Sequence, residues 1–410
     1  MQLHNDMRWF DRARDMDAIK RIWREIGWVT DRDDALGMED FYAVGRTLTG
    51  VVDDEAECAV QTMPGTILLD ETELALCAVT AVTTGRVGRK RGFAKRLTAV
   101  QLAESMEAGA EVAALGMFEQ GFYDLVGFGR STYQHIFAFD PATLLVDTPS
   151  RTPKRVTEDD WRSMHRSLAA RLRGHGGCMI NPPEFIAAET TWTANGFGLG
   201  YYDGDALTHF IWCSTDEPEH GPVRVDMMAY QTPAQLMELL GVLKSLGDQI
   251  RSVRMVEPAH IRLQDWLEQP FRNRGISRNS PHQAYHHAPS WWQLRIMDVP
   301  ACVAALAVHA PVPRFRVDLH DPAADVLSGT WQGVSGAYTV ELAERSHAVA
   351  EAAEGLPVLK ASVNALTRLL FGIAPASVLS LAADFEAPPE LIQALDRAIR
   401  LPDARPGLEF

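Results

Sequence analysis

VTTGRVGRKRGFAKRL, residues 82–97, carries an apolar strand through a basic, glycine-containing loop into the start of a helix. The strand behind it, residues 74–83, is a run of Val, Ala and Leu suited to a central, buried position in a sheet. The helix ahead, residues 92–108, places Phe93, Leu97, Val100 and Leu102 for burial and ends at Gly109. A loop of this kind binds phosphate for a physical reason. The first N–H groups of a helix have no intrahelical partner and sit at the positive end of its dipole. Gly88 and Gly92 allow close backbone approach. A Walker A loop would need Lys followed by Ser or Thr after its second glycine, and a dinucleotide fingerprint needs three spaced glycines; neither is present. Taken alone, a solvated basic helix start reads almost as well.

Working outward, residues 11–27 carry Met16, Ile19, Ile22 and Trp23 as a helical stripe that stops at Gly27. Residues 59–63 and 66–69 read as strands before the central one. Residues 112–115 follow the helix as a strand, then come a turn and short helix at 122–126 and a strand at 133–139. The aperiodic TPSRTPKR, residues 148–155, reads as a joint between domains. Beyond it the α/β order returns: a helix at 161–172, strands at 197–202, 207–213 and 223–230, a helix at 233–246 and a strand at 253–256. A second irregular stretch, residues 280–290, precedes WWQLRIMDV at 291–299. After that come a helix at 299–308, strands at 314–319 and 337–342, and three helical runs beyond Lys360, an α+β module. The expected domains are residues 1–150, 151–288 and 289–410.

Arg89-Lys90-Arg91-Gly92-Phe93-Ala94 resembles the R/Q-x-x-G-x-G/A pyrophosphate motif of GNAT acetyltransferases, which hold coenzyme A by its diphosphate. GMFEQGFYDLVGFG, residues 116–129, resembles the segment of Eis (enhanced intracellular survival)-like enzymes in which a tyrosine precedes a G-[FY]-G turn beside the coenzyme sulfur. Tyr123 falls at that tyrosine, and Gly127-Phe128-Gly129 at the turn. WWQLRIMDV resembles the opening of the sterol carrier protein-like module of the same family. The resemblance implies an α/β fold of two tandem GNAT-like domains followed by a sterol carrier protein-like α+β domain. It also implies an N-acetyltransferase with acetyl-CoA as co-substrate and no metal.

The donor site would comprise Val82, Thr83, Thr84, Arg89, Lys90, Arg91, Gly92, Phe93 and Ala94, with a backbone N–H near Val82 to Thr84 steadying the oxyanion. A phenol with a pKa of about 10 is protonated at neutral pH, so Tyr123 can donate to the departing thiolate. Eis-like enzymes characteristically end in an aromatic residue whose α-carboxylate enters the active site; the printed sequence ends Leu408-Glu409-Phe410, which makes the Phe410 carboxylate the expected base. Desolvation and the negative charge of Glu409 would raise its pKa from about 3.5. Ala81 stands where Eis-like enzymes can offer an aromatic residue to the acceptor pocket, a departure that bears on acceptor preference. Ala81 and Glu409 are the expected substrate contacts. The resemblance further implies a homo-oligomer, with a hexamer among its forms.

Composition narrows the partners. Lys and Arg number 39 against 54 Asp and Glu, a formal charge of −15, which disfavours nucleic acid and favours cationic ligands near an acidic cleft, although solubility alone accounts for it more readily; the resemblance implies the acceptor class, an amine of an aminoglycoside-like molecule, a polyamine or lysine. The five cysteines, Cys58, Cys77, Cys178, Cys213 and Cys302, are widely spaced and never form C-x-x-C, so neither a disulfide framework nor a zinc site is expected. The N-terminus lacks the apolar core of a signal peptide and no run reaches the length of a membrane span, so a cytoplasmic protein with no membrane partner is expected. His135, His286 and His287, the run 171–177, and Trp161, Trp192 and Trp266 read as structural. The reading from another class is a non-catalytic acyl-CoA or lipid-binding protein that uses the C-terminal module.

Overall fold

The computed structural model describes residues 3–30, 37–117, 121–149, 151–193, 195–328 and 330–410. Phe118, Glu119 and Gln120 of the Tyr123 motif, and Ser150 of the expected joint, lie outside the described residues. The chain begins with β1 (Met7–Trp9), α1 (Arg12–Ile26), α2 (Met38–Val44), β2 (Arg46–Val52), β3 (Glu55–Leu69), β4 (Thr72–Thr84), α3 (Phe93–Glu107), β5 (Val112–Gly116) and β6 (Gly129–Arg130). Its middle holds β7 (Ile136–Phe139), β8 (Lys154–Val156), α4 (Trp161–Ala169), β9 (Cys178–Ile180), α5 (Glu184–Thr191), β10 (Phe197–Asp203), β11 (Ala206–Thr215), β12 (Val223–Ala229), α6 (Pro233–Ser245), β13 (Val253–Val256), α7 (Pro270–Ser277) and β14 (Tyr285–His287). It closes with β15 (Trp292–Ile296), α8 (Val299–Ala304), β16 (Phe315–His320), α9 (Pro322–Val326), β17 (Gly336–Glu341), β18 (His347–Val349), β19 (Val358–Ser362), α10 (Val363–Leu370), α11 (Ala376–Ala382), β20 (Phe385–Glu386) and α12 (Pro389–Ala398).

Contacts divide these elements into two compact units, and neither is one continuous stretch. The first joins residues 1–132, 174–182 and 290–410; the second joins 133–173 and 183–289. The fold class is α/β with several sheets, as the sequence predicts.

In the first unit, the Asp11 side chain caps α1 by accepting the Arg14 N–H at 3.0 Å, and Gly27 ends it in the left-handed region. Between them the expected stripe of Met16, Ile19, Ile22 and Trp23 is buried. One sheet runs β1-β2-β3-β4-β5-β15-β6, with β9 added alongside β3. The two strands expected at 59–63 and 66–69 are one, β3, which continues through Pro64. The proline's carbonyl accepts the Asn181 N–H at 3.0 Å, and Gly65 lies where a Cβ would collide with the Met179 carbonyl of β9. Residues 171–177 end in a loop as expected, but that loop leads into β9 of this first sheet.

A second, five-stranded sheet of this unit runs β18-β17-β16-β19-β20 and carries α10, α11 and α12, the three helical runs expected after Lys360. The strand at Trp292–Ile296, expected to open the C-terminal module, pairs instead with β5 and β6 of the first sheet. Its five residues are all buried, so it requires a sheet with a core on both faces.

The second unit is built on a sheet running β14-β7-β13-β12-β11-β10-β8, with Leu236, Leu239, Leu240 and Leu243 of α6 in its core. β7, expected to close the first domain, belongs here: Ile136–Phe139 pairs antiparallel with β13 and β14. His135 and His286 engage each other, Nδ1 to Nε2 at 2.9 Å, and His286 stacks on Phe137. Among the described residues no helix is long and apolar enough to cross a membrane, and no group of three or more His, Cys, Asp or Glu is placed to hold a metal ion.

Candidate active site

The site grows from the end of β4. β4 and β5 are parallel but pair only over Leu76–Ala78 and Val112–Ala114, after which β4 continues to Thr84 without β5 beside it. Among the described residues no strand pairs with that side of Val79 to Thr84, which leaves its backbone groups open to a ligand or solvent. In the same stretch the pairing with β3 slips, because Ala59 faces Thr83 whereas Gln61 faces Thr80, and Ala81 is pushed to φ +49. A non-glycine residue in the left-handed region within a strand marks a bulge that re-aims the backbone. Ala81 itself is buried, so its contribution here is to the course of the chain more than to any surface.

After Thr84 the loop turns sharply. The Gly85 N–H donates to the Glu57 carbonyl at 2.8 Å, and a Cβ on Gly88 would press on that carbonyl. Arg89, Lys90, Arg91 and Gly92 are exposed. Gly92 stands at the N-cap of α3 with φ +74 and supplies no side-chain cap, and the first intrahelical bond is Arg96 N–H to Gly92 carbonyl at 3.1 Å. The N–H groups of Phe93, Ala94 and Lys95 precede that bond, which leaves them for an anion. Phe93 is buried against Gly50 and anchors the helix. In the second unit the corresponding step from β12 to α6 is closed. Thr232 caps α6 by accepting the Gln235 N–H through its side chain, Pro233 offers no N–H, and the Gln235 side chain accepts the N–H of Gln231, just ahead of the helix. Only the first of these two helices presents an open N-terminus.

Tyr123 opens a 3-10 turn, Tyr123–Val126, that follows β5. Its ring is buried, edge-on to Phe122 and Phe128, and burial with nearby Cys58 raises its pKa above the ordinary phenol value. The turn is gripped by residues that the sequence did not single out as functional. Gln293 Nε2 donates to Asp124 Oδ1 at 2.9 Å, Arg295 Nη1 to the Val126 carbonyl at 3.0 Å, and Asn364 Nδ2 to the Asp124 and Phe128 carbonyls at 3.0 and 2.9 Å. Arg295 is itself fully buried against Asp321, at 2.9 and 2.5 Å. Both motif glycines now have reasons. A Cβ on Gly127, at φ +84, would collide with the Arg295 guanidinium, and one on Gly129 would press on the Asn364 carbonyl. The available signal was Gln293 and Arg295 interrupting an apolar run.

The last residues return to this sheet. The Ala404 carbonyl accepts from Thr132 Oγ1, the Arg405 N–H donates to the His175 carbonyl at 2.9 Å, and the Pro406 carbonyl accepts the Cys178 N–H at 2.8 Å. Leu408 is buried, Glu409 is exposed, and the Phe410 ring lies edge-on to Trp292 with centroids 4.8 Å apart. Trp292 pairs with Gly116, the last residue of β5, so Phe410 is carried to the end of the sheet where β4 and β5 have parted. The five cysteines are buried free thiols; burial pushes Cys58 up to about 12 and Cys77 to about 11.

Residues 11–131 match the family model described as acetyltransferase (GNAT) domain. No curated protein matches the sequence. Solved structures similar to the chain include a GCN5-related N-acetyltransferase from Kribbella flavida, 19% identical with a TM-score of 0.76 over 99% of this chain and 98% of that one. Eis1 from Mycobacterium abscessus is 16% identical, with a TM-score of 0.75 over 99% of this chain and 100% of the other. A GCN5-related N-acetyltransferase from Anabaena variabilis is 14% identical, with a TM-score of 0.75 over 98% and 100%. At these identities the likeness speaks for the fold, shared over nearly the full length. Residues 11–131 thus match a GNAT acetyltransferase domain, set within a fold shared with these structures over nearly the full length.

Proposed function

We propose that the chain is an acetyl-CoA-dependent N-acetyltransferase whose acceptor is the amine of a cationic substrate, aminoglycoside-like, polyamine or lysine. The observation that carries this reading is the open, glycine-capped N-terminus of α3 at the end of a strand that has parted from its neighbour. The Phe93, Ala94 and Lys95 N–H groups hold the donor's diphosphate, with Arg89, Lys90 and Arg91 adding positive charge. The bulged strand from Ala81 through Val82, Thr83 and Thr84 aims an N–H at the thioester oxygen, where negative charge develops. The amine nitrogen forms a bond to the acetyl carbon as the carbon–sulfur bond breaks. Tyr123, kept neutral by burial, gives its proton to the leaving sulfur. The amine proton passes to a carboxylate, for which we assign the α-carboxylate following the Phe410 ring, with Glu409 adding negative charge for the cationic substrate.

The reading supports direct transfer, because the thiols are buried and high in pKa and therefore poor nucleophiles. We further propose that the C-terminal α+β region is sterol carrier protein-like and that the protein works as a homo-oligomer in the cytoplasm. The test is thiol release from acetyl-CoA with a panel of polyamines, aminoglycosides and lysine peptides, with products read by mass. Acetyl-CoA binding with no acetylated product from any amine would replace this reading with a non-catalytic acyl-CoA-binding protein.

A further inference from the structure

A cavity of about 840 Å3 lies in the first unit beside the donor loop. Lys95, in the first turn of α3, lines it, as do Asp124 and Leu125 of the Tyr123 turn, Arg130 of β6, Arg368 of α10 and Leu381 of α11. Its polar groups are incompletely satisfied. The Arg368 side chain makes no hydrogen bond or ion pair among the described residues, and its Nε is buried without a partner, as is Asn364 Oδ1 nearby. Arg368 also faces a like charge, Arg130, whose nearest carboxylate is Asp124 at 3.7 Å. Asp124 is in turn held by Gln293, and the other acids of the lining, Asp325 and Asp384, are exposed. Two guanidinium groups, one of them half-buried with an unpartnered Nε, share the single partly exposed carboxylate of Asp124, and a bound anion would offset the positive charge that is left. The rim is apolar as well: Leu381 is 88% exposed and Leu125 is 52% exposed.

We propose that this cavity holds the nucleotide end of coenzyme A, with the 3′-phosphate on Arg368 and Arg130 and the purine against Leu125 and Leu381. The proposal rests on the donor reading above and extends it, because it makes the C-terminal third of the chain part of the donor site. The placement follows from the helix. Lys95 is the third residue of α3, so the cavity begins within one turn of the N–H groups assigned to the diphosphate, and the nucleotide continues from that diphosphate.

The experiment compares coenzyme A with dephospho-coenzyme A, which lacks only the 3′-phosphate, by calorimetry on the full chain. The parent should prefer coenzyme A by about ten- to a hundredfold, the worth of one or two charge-assisted contacts. Arg368→Met should erase that preference and leave dephospho-coenzyme A binding unchanged, and Arg368→Lys should restore part of it. Arg130→Met, at a half-exposed position, should reduce the preference several-fold and serves if the Arg368 variants fail to fold. Equal binding of the two ligands by the parent overturns the site but leaves the donor reading standing. A preference that persists in Arg368→Met or, where that variant does not fold, in Arg130→Met does the same. Failure of the parent to bind either ligand overturns both.

Discussion

Gly92 has nothing within 4 Å of where a Cβ would stand, so a side chain there meets backbone strain before it meets any neighbour. An L residue at φ +74 is strained by about 1 kcal/mol, which makes alanine the proper control for charge. Gly92→Ala should keep most acetyl-CoA affinity, whereas Gly92→Glu, which sets an anion where the diphosphate meets the helix, should lose at least about tenfold more. Calorimetric affinities that match in the two folded variants would remove the donor site from this loop. Tyr123 can be tested in the same way. Tyr123→Phe should lower turnover by roughly ten- to ten-thousandfold with little change in donor affinity. The sign of its pH dependence follows from burial: the neutral phenol is favoured, so the proton is retained as pH rises past about 10, the ordinary phenol value. An alkaline limb of turnover below that pH therefore belongs to another group. Full activity of Tyr123→Phe would return the residue to packing.

The elements around Tyr123 were legible in the sequence where the signals are local. Gly92 before a helical stripe, the G-F-G turn and the long apolar β4 each declare themselves within a few residues. The pairings that complete the sheet were not legible, because they join distant segments. β9 is three residues long, β7 lies in the sheet of the second unit although it follows the first-domain motif, and Trp292–Ile296 crosses from the C-terminal region to β5. The clamp on the Tyr123 turn was hidden for the same reason, since Arg295 and Asp321 meet only once β15 is in place. That clamp makes its own prediction. Arg295→Met leaves Asp321 buried and charged, which should cost about 3–5 kcal/mol in stability. Arg295→Met with Asp321→Asn should recover part of this, because the neutral amide leaves no buried charge and its one oxygen can still accept from either Ala323 or Val334, whose N–H groups now bond Asp321 Oδ1 and Oδ2 at 3.0 Å each. Denaturant melts decide it; a double variant no more stable than Arg295→Met would show that the orphaned charge is not the cause.

At the scale of the whole molecule, the first unit is closed by the last segment of the chain, and the segment around His175 receives it. His175 is buried and neutral. Its Nδ1 accepts the Asp70 N–H at 2.9 Å while Nε2 donates to the Phe371 carbonyl at 3.1 Å, and burial lowers its pKa. Its contribution to stability is therefore complete above about pH 6.5, the ordinary histidine value, and is lost as pH falls through the depressed folded-state value. A fall in melting temperature across that acid range should be smaller in His175→Gln. The tail held by this segment decides the proposed base. A Gly-Ser extension after Phe410 moves the free carboxylate several residues away while the ring can still rest on Trp292. Deleting Phe410 removes the ring and leaves a carboxylate about one residue short, where a misplacement of about 1 Å can already cost on the order of a hundredfold. If the carboxylate is the base, both variants lose turnover while acetyl-CoA affinity and melting temperature stay near those of the parent. If the ring is only an anchor, the extended protein stays active and the deletion mainly lowers stability. Intact mass must confirm that the parent ends at Phe410 and that the extension is retained; with both confirmed, equal turnover in the two proteins assigns the base elsewhere.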